Sequence, residues 1–517
     1  MPERDQDRLE GAERVRRELA IENQLSRAQA RTYVRCLQAT WQVPTIQWTE
    51  RDSARQLADA RRLLHAAHIF RSIEGQASQR AIDCYRRTGE ILEWLSRAAD
   101  TIRSVVPIEL LAAGAYQLGG LPAMASGLLS QVGSDHEGVR LYSAFLRADF
   151  DGVLRRAALF WRRYPDLTTA DASAMLLTAM RSETADGEAG PTVGWAFSVE
   201  LVRSLGLVAD CLRRGDDERL AVAMGKLRAL DAMATRTFSD DASLVITIMR
   251  AVADSFVAAT IYRPLRALGA LRPERSSRLL AYARDQFSRG RGILWTSQQH
   301  GLQRLLEESS FALCTPTGSG KTLVANLALI KELLLREHEG LLGPLALYIV
   351  PSRALAGEVE VKLTSELGRD ITVTGLYGGA DWGITDFWLT SERPVVLIVT
   401  VEKADALMRY LGQMLMARLG LLIIDEAHQV VPEANEATRL SFSDHSNRSI
   451  RLEGLVSRIL SQRPDVVRIA LTAVAGGAAG PVARWVEGRP NANPVGVRYR
   501  STRRSSACSR RHRTPKG

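Results

Sequence analysis

Five short runs in the second half of the chain constrain the fold most: "FALC" from Phe311, "ALYIV" from Ala346, "VVLIV" from Val395, "GLLIID" from Gly420 and "VVRIAL" from Val466. Each is continuously apolar and most are rich in β-branched residues. A strand with one face in water alternates apolar and polar residues, so uninterrupted runs predict strands buried on both faces. Segments of helical period lie between them, and alternation of this kind predicts a parallel sheet with crossover helices from about residue 291. In such a sheet, ligands bind at the carboxyl ends of the strands.

The first part of the chain reads differently. Up to about Gly290 the pattern is helical; "AIDCYRRTGEILEWLSRAA" puts Ala81, Ile82, Tyr85, Ile91, Leu92 and Leu95 on one stripe. Three turns look alike: "AYQLGGLPAMA" from Ala115, "AFLRADFDGVLRRA" from Ala144 and "DCLRRGDDERLAVAM" from Asp210. Their spacing is near one and two units of a helical-hairpin repeat of roughly 34 residues, so a regular superhelical array and an irregular helical domain both fit. The expected organisation is an all-α domain over 1–290, an α/β domain over 291–487 and a basic tail without a fold of its own over 488–517.

Composition excludes several classes. Of the 517 residues 46% are hydrophobic and 24% charged, as in a globular protein in water. The nearest candidate for a membrane span, the uncharged stretch Leu110 to Leu129, holds four glycines and a proline, which fits helices joined by a turn better. "MPERDQDRLEGAERVRREL" alternates acid and base and lacks the apolar core of a secretory signal, so the cytoplasm is the expected compartment. The five cysteines form no C-x-x-C pair, and neither a zinc site nor a disulfide framework is expected. The net charge is +10, but nine Lys/Arg and no acid follow Glu487, leaving the rest of the chain at +1. A basic tail of that kind binds polyanions in a salt-dependent way and says little about specific function.

The chemical signal sits at the strand ends. After "FALC" comes "TPTGSGKT", Thr315, Pro316, Thr317, Gly318, Ser319, Gly320, Lys321 and Thr322, and then an apolar-faced helix. Glycines let the backbone N–H groups face a triphosphate, the helix start adds its positive dipole end, Lys321 reaches the β- and γ-phosphates, and the Thr322 hydroxyl ligates Mg²⁺. "LLIIDEAHQV" supplies acids at the end of another buried strand: Asp425 to hold Mg²⁺ through water, Glu426 as general base for the attacking water.

Residues from about 293 to 495 resemble the first motor domain of superfamily 2 nucleic-acid helicases of the DExH kind. There the phosphate loop commonly reads A-x-T-G-x-G-K-T, so Thr315 in place of a first glycine is ordinary. The resemblance implies a RecA-like fold, ATP and Mg²⁺ as cofactors and nucleic acid as partner. Within "LWTSQQHGL" it implies Gln298 as the adenine-reading glutamine, with Gln299 as rival. Pro351 and Arg353 of "IVPSRALAGEVE", and Gly378 and Gly379 of "TGLYGG", are implied to face the nucleic-acid backbone. So are Thr400, Lys403 and Arg409 of "VTVEKADALMR", which is similar to a T-P-E-K-x-D-x-L-x-R stretch in the branch that includes RNA-surveillance and DNA-repair helicases, Val401 replacing the proline. "IALTAVAGG" keeps the hydroxyl of Thr472 but has Val474 where S-A-T has its second, and His428 with Thr472 is implied to couple the nucleotide site to the strand.

Such helicases use two motor domains with ATP between them, and no stretch after residue 487 reads as the second. The expectation is that this chain alone binds ATP·Mg²⁺ weakly and hydrolyses it slowly. Two functional readings follow: an ATP-dependent helicase or translocase whose helical domain recruits a protein partner, or a helical scaffold whose motor domain is a nucleotide-dependent binding module. DNA and RNA are equally compatible with the motifs.

Overall fold

The computed structural model describes residues 3–21, 25–40, 50–98, 107–132, 137–168, 190–237, 241–307, 310–316, 320–338, 340–378, 386–429, 447–473 and 479–496. The chain divides into two compact units, Met1–Thr260 and Ile261–Tyr499. None of the described helices is long and apolar enough to cross a membrane.

The first unit is helical among its described residues. Gln79–Ala98 buries Ala81, Tyr85, Ile91, Leu92 and Leu95, with Ile82 at the edge of the stripe. One polar contact in this core joins two of its helices: the Tyr116 hydroxyl donates to Glu93 Oε2 at 2.6 Å. The three look-alike turns share one backbone solution. Gly120, Ala148 and Gly215 take positive φ of 71°, 57° and 72°. The next amide in each, Leu121, Asp149 or Asp216, donates back to the carbonyl five residues earlier, at Tyr116, Ala144 and Cys211. This is the Schellman closure, which satisfies carbonyls left over at a helix end and needs one left-handed residue. The hairpins do not stack as a simple array, in which each unit touches only its sequence neighbours. Asp241–Ala258 packs back on Ile108–Leu118, so the unit is closed by a contact distant in sequence.

The second unit is built on six parallel strands: β1 (Phe311–Cys314), β2 (Leu345–Val350), β3 (Thr372–Leu376), β4 (Val395–Thr400), β5 (Leu419–Ile424) and β6 (Val467–Thr472). Their order in the sheet is β1-β6-β5-β2-β4-β3. Every residue of β1, β2 and β4 is buried, as the unbroken apolar runs require. Only β3, "TVTGL", is half-exposed throughout, which fits its place at the sheet edge.

The unit starts before the strand pattern does. Helices Tyr262–Gly269 and Ser276–Ser288 belong to it. They are anchored by Arg291, whose guanidinium lies 2.7 Å from Glu366 Oε1, and by Arg289, which donates to the Ser365 carbonyl. Residues 488–496, which charge groups with the basic tail, return along β1: Val495 N–H donates to the Ala312 carbonyl at 2.9 Å, and Cys314 N–H to the Val495 carbonyl at 2.8 Å. Residues 497–517 lie outside the described residues.

At the amino ends of the central strands a buried guanidinium replaces ordinary capping. Arg418 precedes β5 and is 5% exposed. Its Nε donates to the Gly343 carbonyl (2.6 Å), Nη1 to those of Trp388 (2.8 Å) and Leu389 (3.2 Å), and Nη2 to that of Ser391 (3.1 Å). Four carbonyls at the entrances to β2 and β4 are satisfied by one side chain.

Candidate nucleotide and nucleic-acid sites

The sheet order sorts the motifs. The segments after β1, β6 and β5 carry the nucleotide candidates, and those after β2, β4 and β3 carry the nucleic-acid candidates. Each group of three strands is contiguous, so residues scattered over 175 positions of sequence, from Gln298 to Thr472, gather at one edge of the same end of the sheet.

On the nucleotide side, Gly320 is the N-cap of helix Lys321–Leu329 and holds φ 75°. A Cβ there would meet Gln298 Nε2 at 2.1 Å, the far end of a flexible side chain, so it is the left-handed conformation that calls for glycine. Gln298 itself is 8% exposed. Its Oε1 accepts from the Trp295 N–H at 2.8 Å, as the third residue of a helix reaches back to cap its start, and its Nε2 donates to the Gly320 carbonyl at 3.2 Å. Gln299 turns instead to the Leu294 carbonyl at 3.0 Å, so of the two glutamines Gln298 is the one against the phosphate-loop segment. Thr315 is fully buried, its N–H donating to the Thr472 carbonyl at 3.2 Å, while Pro316 is partly exposed beyond it. Thr317, Gly318 and Ser319 lie outside the described residues. Burial pushes the neighbouring Cys314 thiol up to about 12, leaving it protonated and inert near neutral pH.

Lys321 and Glu426 meet across this edge, Nζ to Oε1 at 3.4 Å. Thr322, next to Lys321, is partly exposed. Glu426 takes the left-handed region at φ 44°, unusual for a residue with a Cβ, and its N–H donates to Asp425 Oδ1 at 2.8 Å. That tight turn directs the two adjacent acids differently. Glu426 Oε2 lies 3.4 Å from the Ala473 N–H and 3.4 Å from His428 Nδ1. Asp425 Oδ2 accepts from the Tyr348 hydroxyl at 3.0 Å, and burial pushes the Asp425 carboxyl above the usual aspartate range.

His428 Nδ1 and Thr472 Oγ1 are 2.8 Å apart. The Thr472 hydroxyl also lies 3.0 Å from the Ala473 carbonyl, and when its one hydrogen is donated there, Nδ1–H is the donor to Oγ1. A continuous polar chain thus runs Lys321, Glu426, His428, Thr472. Val474 is outside the described residues.

On the other side, Pro351 is buried at the end of β2 and Arg353 is exposed at the first position of helix Arg353–Leu367. Thr400 ends β4 and precedes helix Val401–Arg418, on which Lys403 is partly exposed. Arg409 lies farther along that helix, 64% exposed and held by Asp405 at 2.8 Å. Gly378 is exposed after β3; Gly379 lies outside the described residues. Beside Gly378, Glu360 accepts from the Gly375 N–H at 2.9 Å and the Tyr377 hydroxyl at 2.6 Å, tying the β3 exit to the helix that begins at Arg353.

Two residues absent from the motif reading, Tyr348 and Arg448, and one that matched the motif without a role, Asp405, shape this end. Tyr348, the one residue with a polar side-chain atom in "ALYIV", supports Asp425 from below. Asp405 is a brace, binding Arg458 of helix Arg448–Gln462 as well as Arg409. Arg448 donates to both the Pro351 carbonyl (3.1 Å) and Glu402 Oε1 (2.5 Å). A tyrosine in an otherwise apolar buried strand was a legible signal; the arginine had none, because its partners are 46 and 97 positions away.

Among known proteins, residues 295–456 match the DEAD/DEAH box helicase family. Over 127 residues the chain is 40% identical to Hachiman protein HamB of Bacillus cereus, covering 24% of this chain and 11% of that protein. Over 216 residues it is 30% identical to the ATP-dependent DNA helicase Hel308 of Pyrobaculum calidifontis, covering 41% of this chain and 26% of that protein. The solved structure of Mycobacterium smegmatis helicase Lhr bound to ssDNA and AMP-PNP matches with a TM-score of 0.34 and 24% identity over 42% of this chain and 27% of that one. The chain spans less than a third of the length of either sequence relative. The six-stranded parallel sheet, the polar chain at its carboxyl edge and the family match agree: residues 295–456 are a DEAD/DEAH box helicase domain, a motor domain of superfamily 2.

Proposed function

We propose that this chain is the ATP-binding part of an ATP-dependent nucleic-acid helicase or translocase. The observation that carries the reading is the chain Lys321, Glu426, His428, Thr472, which gathers a cation, a carboxylate and a coupling pair from three strand ends at one edge. Helicase membership implies ATP, and the oxygen donors available here, the Thr322 hydroxyl and the Asp425 carboxylate, suit Mg²⁺. Mg²⁺, when bound, offsets charge on the β- and γ-phosphates. Lys321 exchanges its carboxylate partner for phosphate oxygens, which frees Glu426 to take a proton from the attacking water. His428 and Thr472 relay the state of Glu426 toward β6, while Gln298 lies on the adenine side of the loop.

Pro351, Arg353, Gly378, Gly379, Thr400, Lys403 and Arg409 form the strand-facing side, which grips phosphates and so reads little sequence. The naming of the Hel308 relatives as DNA helicases makes single-stranded DNA the first polymer to test. The helical unit, with no metal-binding cluster among its described residues, is on this reading the part that recruits a protein partner, in the cytoplasm.

The test is ATP hydrolysis by the full chain with and without single-stranded DNA or RNA. A rise in turnover on adding strand, lost in Lys321→Ala, supports the reading. A chain that binds ATP·Mg²⁺ but neither binds nor responds to either polymer contradicts it and leaves a nucleotide-dependent binding module.

A further inference from the structure

Arg448 opens helix Arg448–Gln462 and stands between the two segments that carry the candidate phosphate contacts. Its Nη1 donates to the carbonyl of Pro351, two residues before Arg353, and its Nε to the carboxylate of Glu402, directly before Lys403. One guanidinium therefore bridges the ends of β2 and β4. Two of its three nitrogens are committed, the side chain is still 54% exposed, and Nη2 has no protein partner among the described residues.

We propose that Arg448 is a fourth phosphate-contacting cation of the strand path, beside Arg353, Lys403 and Arg409, held ready by Glu402 and the Pro351 carbonyl. The inference rests on the nucleic-acid reading above. An arginine fixed by two hydrogen bonds has already lost most of its rotamer freedom, so a phosphate oxygen that meets Nη2 does so at little further ordering cost. Glu402 cancels one charge locally, yet Arg353, Lys403 and Arg448 together leave this rim net positive. Arg448 also masks Glu402, whose carboxyl sits below the usual range because hydrogen bonds from its own backbone, Thr400 and Arg448 outweigh its burial. Removing the arginine would therefore both delete a contact and expose an acid to the strand, and a test must separate the two.

The probe is a fluorescein-labelled oligothymidylate, titrated with the full chain at several salt concentrations for the wild type, Arg448→Met, Glu402→Gln and the double variant. Each phosphate contact on a single strand contributes about 0.7 to the slope of log affinity against log salt. Arg448→Met and the double variant are both expected to lose about 0.7 of slope, and Glu402→Gln none. That loss corresponds to roughly fivefold weaker binding at 0.1 M salt when the curves converge at 1 M. ATP·Mg²⁺ affinity, measured in parallel, is expected to be unchanged and reports that the domain is folded.

A wild-type slope in Arg448→Met, or recovery of wild-type slope and affinity in the double variant, overturns the proposal, since the arginine would then only shape the loop or mask Glu402. If the wild type itself fails to bind the strand while binding ATP·Mg²⁺, the nucleic-acid reading fails and this inference with it. Strand binding that is indifferent to Arg448 sinks the inference alone.

Discussion

Arg418 illustrates how much of this fold hangs on single polar residues. A buried cation normally needs an acid nearby, but here four carbonyls share its donors, and burial pulls its pKa below the usual arginine value. Arg418→Met keeps the volume and deletes every guanidinium donor; the Ser391 carbonyl retains the Gly343 N–H at 3.1 Å, while those of Gly343, Trp388 and Leu389 lose their partner. The expected loss is about 3–5 kcal/mol, from an unsatisfied-group cost of about 1–3 kcal/mol each with partial relaxation, read by urea unfolding. A loss under about 1 kcal/mol would mean that water replaces the guanidinium without penalty. At the same scale, Glu426 needs its left-handed backbone to point away from Asp425, and neither residue's direction could be read from "DEAH" as a string.

Elements were legible where burial is two-sided and obscure where it is not. The five apolar runs are strands, and the glycine loop does precede a helix. Strand β3 escaped because an edge strand half-exposed along its length has no need of an apolar run, and "TVTGL" has none. Helices Tyr262–Gly269 and Ser276–Ser288 read as more of the helical region because period alone does not say which core a stripe enters; Arg289 and Arg291 decide that through Ser365 and Glu366. The three Schellman turns were visible as a resemblance and are one backbone motif. Of the three left-handed positions, only that of Ala148 carries a Cβ. Ala148→Gly removes a strain of about 1–2 kcal/mol and adds about 0.5–1 kcal/mol of chain entropy, for a net gain of roughly 0.5–1 kcal/mol. Differential scanning calorimetry of the full chain should show the helical unit's transition rise; a fall would mean that the turn tolerates Ala148 without strain.

Across the motor domain, the order β1-β6-β5-β2-β4-β3 gathers the candidate nucleotide motifs on one half of the sheet end and the candidate nucleic-acid motifs on the other. The boundary lies between β5 and β2, where the Asp425 N–H donates to the Ile349 carbonyl at 2.9 Å and Tyr348 supports the Asp425 carboxylate. The candidate nucleotide residues could be picked out in sequence because each motif is local: a loop, an acid pair, a hydroxyl at a strand end. The rim on the other half was readable only in part, since Arg448, Glu402 and Asp405 cooperate across helices that sequence does not bring together. On the proposed function, Glu426 is the base of an ATP site whose other walls are Lys321, Thr322 and Asp425. This role is tested most directly by calorimetric ATP·Mg²⁺ affinity and single-turnover hydrolysis in the wild type and Glu426→Gln. Binding is expected to be retained within a few fold and turnover to fall by about 10²–10⁴, the usual contribution of a positioned base. Hydrolysis at the wild-type rate in Glu426→Gln would contradict it.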